Sequence, residues 1–149
     1  MRLIKIGLFF ILSVHSVIAQ DTPEAIIDSF FVLFESEGVD QAVDYIYASN
    51  PWISGKTDAI RTLKNQMSNL KDEEFIGEFY GYDPIVNTRL GDRYLLYAYL
   101  VRFDRQPVRF TFQFYMPNDS WRLHSFKYDD NWGDELEESV RVYFLNNRY

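Results

Sequence analysis

The sequence predicts an α+β fold: three N-terminal helices, an antiparallel β-sheet packed on them, and a short C-terminal helix. Three observations lead there. Apolar residues recur at intervals of three and four as far as Leu70, and at intervals of two from Phe75 onward. Glycine- and proline-containing turns separate the alternating runs by a few residues, as in a meander of hairpins. An acidic stretch with helical spacing closes the chain.

The first nineteen residues stand apart from this pattern. Arg2 and Lys5 precede an apolar run from Ile6 to Val14, and Val17-Ile18-Ala19 offers a cleavage site, the three-part pattern of a secretory signal peptide. The apolar run falls short of the roughly 20 residues that span a bilayer. Residues 1–19 are therefore read as a signal cleaved near Ala19 and residues 20–149 as one domain. The expected location is secreted or periplasmic, in a bacterial cell, with no membrane anchor after cleavage. The chain has no cysteine, which excludes disulfides, thiolate catalysis and cysteine-based metal sites.

Asp21-Thr22-Pro23-Glu24 supplies a capping side chain, a first-turn proline and an acid at the positive end of the helix dipole. Ile26, Ile27, Phe30, Phe31 and Phe34 come next on one face, and Gly38 ends the first helix. Val39, Ala42, Val43 and Ile46 mark a second helix stopped at Asn50-Pro51, which leaves Trp52 in a loop. Ile60, Leu63, Met67 and Leu70 mark a third. Phe75 to Val86 reads as a first strand bent at Gly81–Pro84. Leu90–Arg93 reads as a hairpin turn, Tyr94 to Phe103 as the second strand and Val108 to Met116 as the third. Trp121 to Tyr128 is the last strand, and Asp134 to Phe144 the final helix, with Leu136, Val140 and Tyr143 on one side.

Pairing Phe103 with Val108 across the Asp104–Pro107 turn fixes the faces. One face then carries Leu95, Tyr97, Tyr99, Val101, Phe103, Val108, Phe110, Phe112, Phe114 and Met116, joined by Trp121 and Leu123. It is the face to pack on the helices. The other carries Tyr94, Leu96, Ala98, Leu100, Arg102, Arg109, Thr111, Gln113, Tyr115, Arg122, His124, Phe126 and Tyr128. So apolar a second face calls for a cover, either the C-terminal helix or a second subunit. A homodimer through the sheet face is expected.

Net charge is −7, and loss of Arg2 and Lys5 with the signal makes it −9. Nucleic-acid binding, which rests on cations that displace phosphate counterions, is excluded on this balance.

Three helices succeeded by a long antiparallel meander resemble the nuclear transport factor 2-like, or cystatin-like, superfamily. The residues that carry the likeness are Gly38-Val39-Asp40-Gln41-Ala42-Val43-Asp44-Tyr45, the meander from Tyr94 to Tyr128, and Trp121-Arg122-Leu123 at the opening of the last strand. Gln106–Phe112 and Trp121–Phe126, with Asp129-Asp130 after them, are also similar to an uncharacterised exported bacterial family of this type. The resemblance implies a curved sheet wrapped around the helices as a cone, with a cavity at its open end. It does not choose an activity, since the superfamily holds isomerases, dehydratases and cyclases beside many non-enzymes.

Candidate site residues come from that picture. Tyr45, Trp52, Tyr97, Tyr99 and Phe112 are the expected lining of a small apolar ligand cavity, to which Tyr47, Tyr80 and Tyr82 also contribute, with a few tyrosine hydroxyls at its rim. No residue is assigned as catalytic. His124, the one histidine after the signal, lies on the face away from the helices, and no acid falls on the helix-facing side of the sheet. Asp44, Asp58, Glu78 and Asp83 are the acids with a route to a cavity. Asp129–Glu135 fails the spacing of a calcium loop, which needs glycine sixth and glutamate twelfth. No metal or cofactor is expected. The reading is a non-catalytic binding or accessory domain. Its alternatives are a cone-fold enzyme working through an acid and a tyrosine, and a protein-interaction or sequestering module.

Overall fold

The computed structural model describes residues 22–68 and 76–147. The signal peptide, Leu70 of the third helix and Phe75 of the first strand lie outside the described residues. Helices α1 (Pro23–Ser36), α2 (Val39–Ala48), α3 (Pro51–Ser54) and α4 (Thr57–Ser68) precede strands β1 (Phe79–Leu90), β2 (Tyr94–Phe103), β3 (Pro107–Tyr115) and β4 (Arg122–Asp129). Helix α5 (Trp132–Asn146) comes last. The fold is α+β, with an open antiparallel sheet in the order β1-β2-β3-β4.

Among the described residues four helices stand ahead of the sheet where three are expected. Asn50 accepts a hydrogen bond from Trp52 N at its Oδ1, and Pro51 occupies the first helical position, so one extra turn forms where a loop was expected. Four residues are too few to show a 3.6-residue period, which is why the sequence pattern hides them.

Helix α1 lays Ile26, Ile27, Phe30, Phe31 and Phe34 on the sheet, all buried. Thr22 caps it, its Oγ1 accepting from Ala25 N at 3.2 Å. At its other end Gly38 takes φ +104° and donates its N–H to the Leu33 carbonyl. That positive φ lets the chain reverse straight into α2, which packs on α1.

Strands β2 and β3 pair Val101 with Val108, not Phe103 with Val108. The slip is two residues, so every side chain keeps its expected face. Phe103 pairs instead with Phe79 on β1, and the N–H groups of Asp104 and Arg105 prolong that edge to the carbonyls of Glu78 and Ile76. Gly77, at φ +82°, faces this connection, and a Cβ there would sit 2.5 Å from that of Asp104.

The expected faces fail on β4. Gln113 pairs with Ser125 but Phe114 pairs with Leu123, so His124 is an extra residue in a β-bulge. The bulge reverses the parity of the rest of the strand. Phe126 and Tyr128, expected on the outer face, turn inward beside Phe110 and Phe112. Two side chains at the end of α2 brace the strand here. Ser49 Oγ accepts from Leu123 N at 3.0 Å, and Asn50 Nδ2 donates to the Leu123 carbonyl at 2.8 Å.

The space between α1 and the sheet is filled by rings. Phe30 touches Phe31, Phe34, Phe110, Phe112 and Phe126, and Phe31 stacks on Tyr82 at 3.6 Å between centroids. Helix α5 contrasts with this. Every residue from Gly133 to Asn147 is exposed, so α5 does not cover the outer face of the sheet.

Candidate functional site

The sequence-selected residues do not gather into one cavity. Tyr99 and Phe112 are buried in the ring cluster, Phe112 completely. Tyr45 on α2 is half-buried and packs at the edge of the core. Trp52, on α3, is 80% exposed. Of the five, Tyr97 lines a pocket formed by described residues.

That pocket, of about 530 Å³, lies where α1 begins, the last residues of β1 end and β2 starts. Thr22, Pro23 and Glu24 form its helix side. Asn87, Thr88 and Arg89 of β1, Leu95 and Tyr97 of β2, and Trp121 form the rest. Strand pairing accounts for the convergence. Asn87 pairs with Tyr97 and Arg89 with Leu95, so alternate residues of both strands point to the same face, under the first turn of α1.

The Tyr97 hydroxyl donates to Glu24 Oε1 across 73 residues of sequence. Burial pushes the Glu24 carboxyl up. The hydrogen bonds from Tyr97, its own backbone N–H and Thr22 together outweigh this and hold it below the ordinary carboxylate range. Burial, the bond to Glu24 and its charge push the Tyr97 hydroxyl well above the ordinary phenol value. Tyr99, behind it in the core, is pushed up to about 12, first by burial and then by the charges of Asp28, Tyr82 and Glu24. At neutral pH, then, an ionised carboxylate and an un-ionised phenol hold one another. Each is far from the near-neutral value that proton transfer favours.

Arg89 adds a cation at the mouth, held loosely by Asp92 at 4.0 Å across the hairpin turn. Leu95 and the Trp121 ring add apolar wall. The pocket thus joins a carboxylate, a guanidinium and amide and hydroxyl groups to two apolar surfaces.

Glu24 is not among the acids that the sequence singles out. Its first-turn position explains it as a dipole partner, and no local pattern reveals a tyrosine 73 residues away. The acids with an expected route to a cavity lie elsewhere. Asp44 pairs with Lys64 at 2.6 Å in a second groove, of about 410 Å³, between α2 and α4. Asp58 pairs with Arg61, Asp83 pairs with Arg102, and Glu78 sits beside the Tyr80 hydroxyl. His124 is exposed, its ring edge-on to Tyr94.

Among the described residues no group of three histidines or acids is placed to hold a metal ion, and no helix is long and apolar enough to cross a membrane. Asp129 is taken up by Arg109, at 2.7 Å, and by the turn into α5. Compared with protein-family models, curated proteins and solved structures, the chain matches none.

Proposed function

We propose that the chain is an exported, non-catalytic binding or accessory domain of the α+β cone type, whose ligand site is the pocket of Glu24, Tyr97 and Trp121. The supporting observation is the Glu24–Tyr97 pair. It commits the pocket's acid and its tyrosine to each other, in protonation states unsuited to proton transfer, while leaving charge to orient a ligand. The ring-filled space below the pocket favours a site at the mouth over one in the interior. With as much polar as apolar wall, the mouth suits a small amphipathic molecule, its apolar part on Leu95 and Trp121 and its polar end between Glu24 and Arg89.

Native mass spectrometry of the protein purified after export from its own host tests this. A bound small molecule that Leu95→Glu abolishes is the expected result. Protein that arrives empty, and whose Trp121 indole resonance does not move on titration with anilinonaphthalene sulfonate, contradicts it.

A second reading, self-association as a homodimer through the outer sheet face, is favoured by a separate observation. Leu96 and Leu100 are half-buried and Val86 is exposed on that face, and no helix among the described residues lies over them.

A further inference from the structure

Helix α5 is an amphipathic helix whose apolar side is left uncovered by the described residues of its own chain. Leu136, Val140, Tyr143 and Phe144 fall within a stripe about 100° wide. They are between 54% and 62% exposed. Isolated helices of this length are marginal in water, and most helical stability in proteins comes from packing such a stripe.

The helix is nevertheless held at its start. Arg109, on the outer face of β3, binds Glu135 through both terminal nitrogens and Asp129 through its Nε and one of them. Its guanidinium also sits 5.2 Å from the centre of the Trp132 ring. This clamp sets the rotation of α5. At about 100° per residue, the centre of the apolar stripe is roughly a third of a turn from Glu135. With Glu135 against its own sheet, the stripe faces away from that sheet.

The same chain carries a surface that matches the stripe. A shallow groove of about 400 Å³ on the outer sheet face has Val86, Leu96 and Ala98 on one side and Thr111 and Gln113 on the other, with Arg109, Asp129 and Lys127 at its rim. Asp134, Glu135, Glu137 and Glu138 surround the first half of the stripe. Arg109 is neutralised there by Asp129 and Glu135 of its own chain, so Lys127 is the cation that the apolar part of the groove offers to the acidic border of the helix.

We propose that α5 of one copy docks its Leu136–Phe144 stripe into the outer-face groove of a second copy, and that the second copy's α5 does the same in return. Both halves of the contact lie on one chain and are complementary in polarity and charge, which is what a two-fold self-association requires. The proposal rests on the dimer reading and adds the element that makes the contact. It does not depend on the ligand pocket.

Because the chain contains no cysteine, engineered thiols report without background. The experiment mixes full-length-encoded, exported Val140→Cys protein with Leu96→Cys protein under mild oxidation, with light scattering of the unmodified protein in parallel. Expected are a dimer of twice the chain mass and a disulfide joining the two different variants. Lys127→Glu should weaken the dimer at least tenfold, and adding Glu137→Lys should restore it, a rescue that loss of folding would not give. A dimer without the mixed disulfide overturns the helix exchange and leaves the dimer reading standing. A monomer overturns both. An intrachain disulfide in the Leu96→Cys/Val140→Cys double variant overturns the exchange by showing that α5 folds over its own sheet.

Discussion

The two faces of the sheet are made by alternate residues of the same strands, yet they end in opposite states. The inner face receives α1, and Phe30, Phe31, Phe34, Phe110, Phe112 and Phe114 are all buried to within 1%. The outer face, once Phe126 and Tyr128 have turned inward, mixes Val86, Leu96, Ala98 and Leu100 with Arg102, Arg109, Thr111 and Lys127, and α5, which starts on it, leaves after its first turn. Composition separates them only in part. Connection and rotation do the rest: Gly38 turns the chain so that α2 packs against α1, whereas the Arg109–Glu135 clamp turns the apolar side of α5 away. A face completed within the chain becomes core, and a face left open becomes a surface for assembly.

The sharpest challenge to this contrast is to truncate one ring on each side. Phe30→Ala should cost about 3–5 kcal/mol in urea unfolding, because five neighbouring rings cannot all close on the space it leaves. Phe144→Ala, measured at a concentration low enough for single chains, should change unfolding by less than about 0.5 kcal/mol. Equal effects would erase the distinction between the faces.

Next in size is Asn50→Ala. It removes the cap of α3 and leaves the Leu123 carbonyl at the bulge without its donor, at a cost of about 1–3 kcal/mol by thermal unfolding. The inward turn of Phe126 depends on that bulge, so a loss no larger than that of a surface substitution would deny the bracing role.

The pH response comes third. Tyr99 keeps its proton in the folded chain up to about 12, while an unfolded tyrosine releases it near 10. Above pH 10 the unfolded state therefore binds fewer protons, and the Tyr99 contribution to stability falls with rising pH until it levels off beyond about 12. Glu24 works in the other direction. Its folded value is lowered, so its contribution is complete above the unfolded carboxylate value and is lost as pH falls through the folded one. Unfolding midpoints across pH 3–6 and 9–12 should show both slopes, with Tyr97→Phe, whose own hydroxyl is also raised, shallowing both limbs and Tyr99→Phe only the alkaline one.

The smallest effect expected is that of Trp132→Phe. The Trp132 Nε1–H is buried without an acceptor among the described residues, so removing it relieves an unmet donor and keeps a ring against Arg109. The thermal midpoint should stay within a few degrees of the parent or rise slightly.

Much of the fold is legible in the sequence because period is a strong signal over long elements. The stripe from Ile26 to Phe34 and the alternation from Leu95 to Phe114 each place a face correctly, even though the β2–β3 register is displaced by two residues. The inward turn of Phe126 and Tyr128 is not legible, because a one-residue bulge has no sequence period of its own. It is sustained by Ser49 and Asn50, more than 70 residues away. Helix α3 is too short to show a pattern. The site is less legible for the same reason: Glu24 meets Tyr97 only after the whole helical layer and β1 have been laid down. Tyr99 and Phe112 suggest a cavity lining by being aromatic, yet their rings fill the core.

Amide hydrogen exchange across a range of protein concentrations tests the contrast between the two faces most directly. Amides of α1, whose cover lies within the chain, should exchange at one slow rate at every concentration. Those of α5 between Leu136 and Phe144, together with β2 around Leu96, should become steadily more protected as concentration rises. Exchange in α5 that is fast and independent of concentration would contradict an outer face built for assembly.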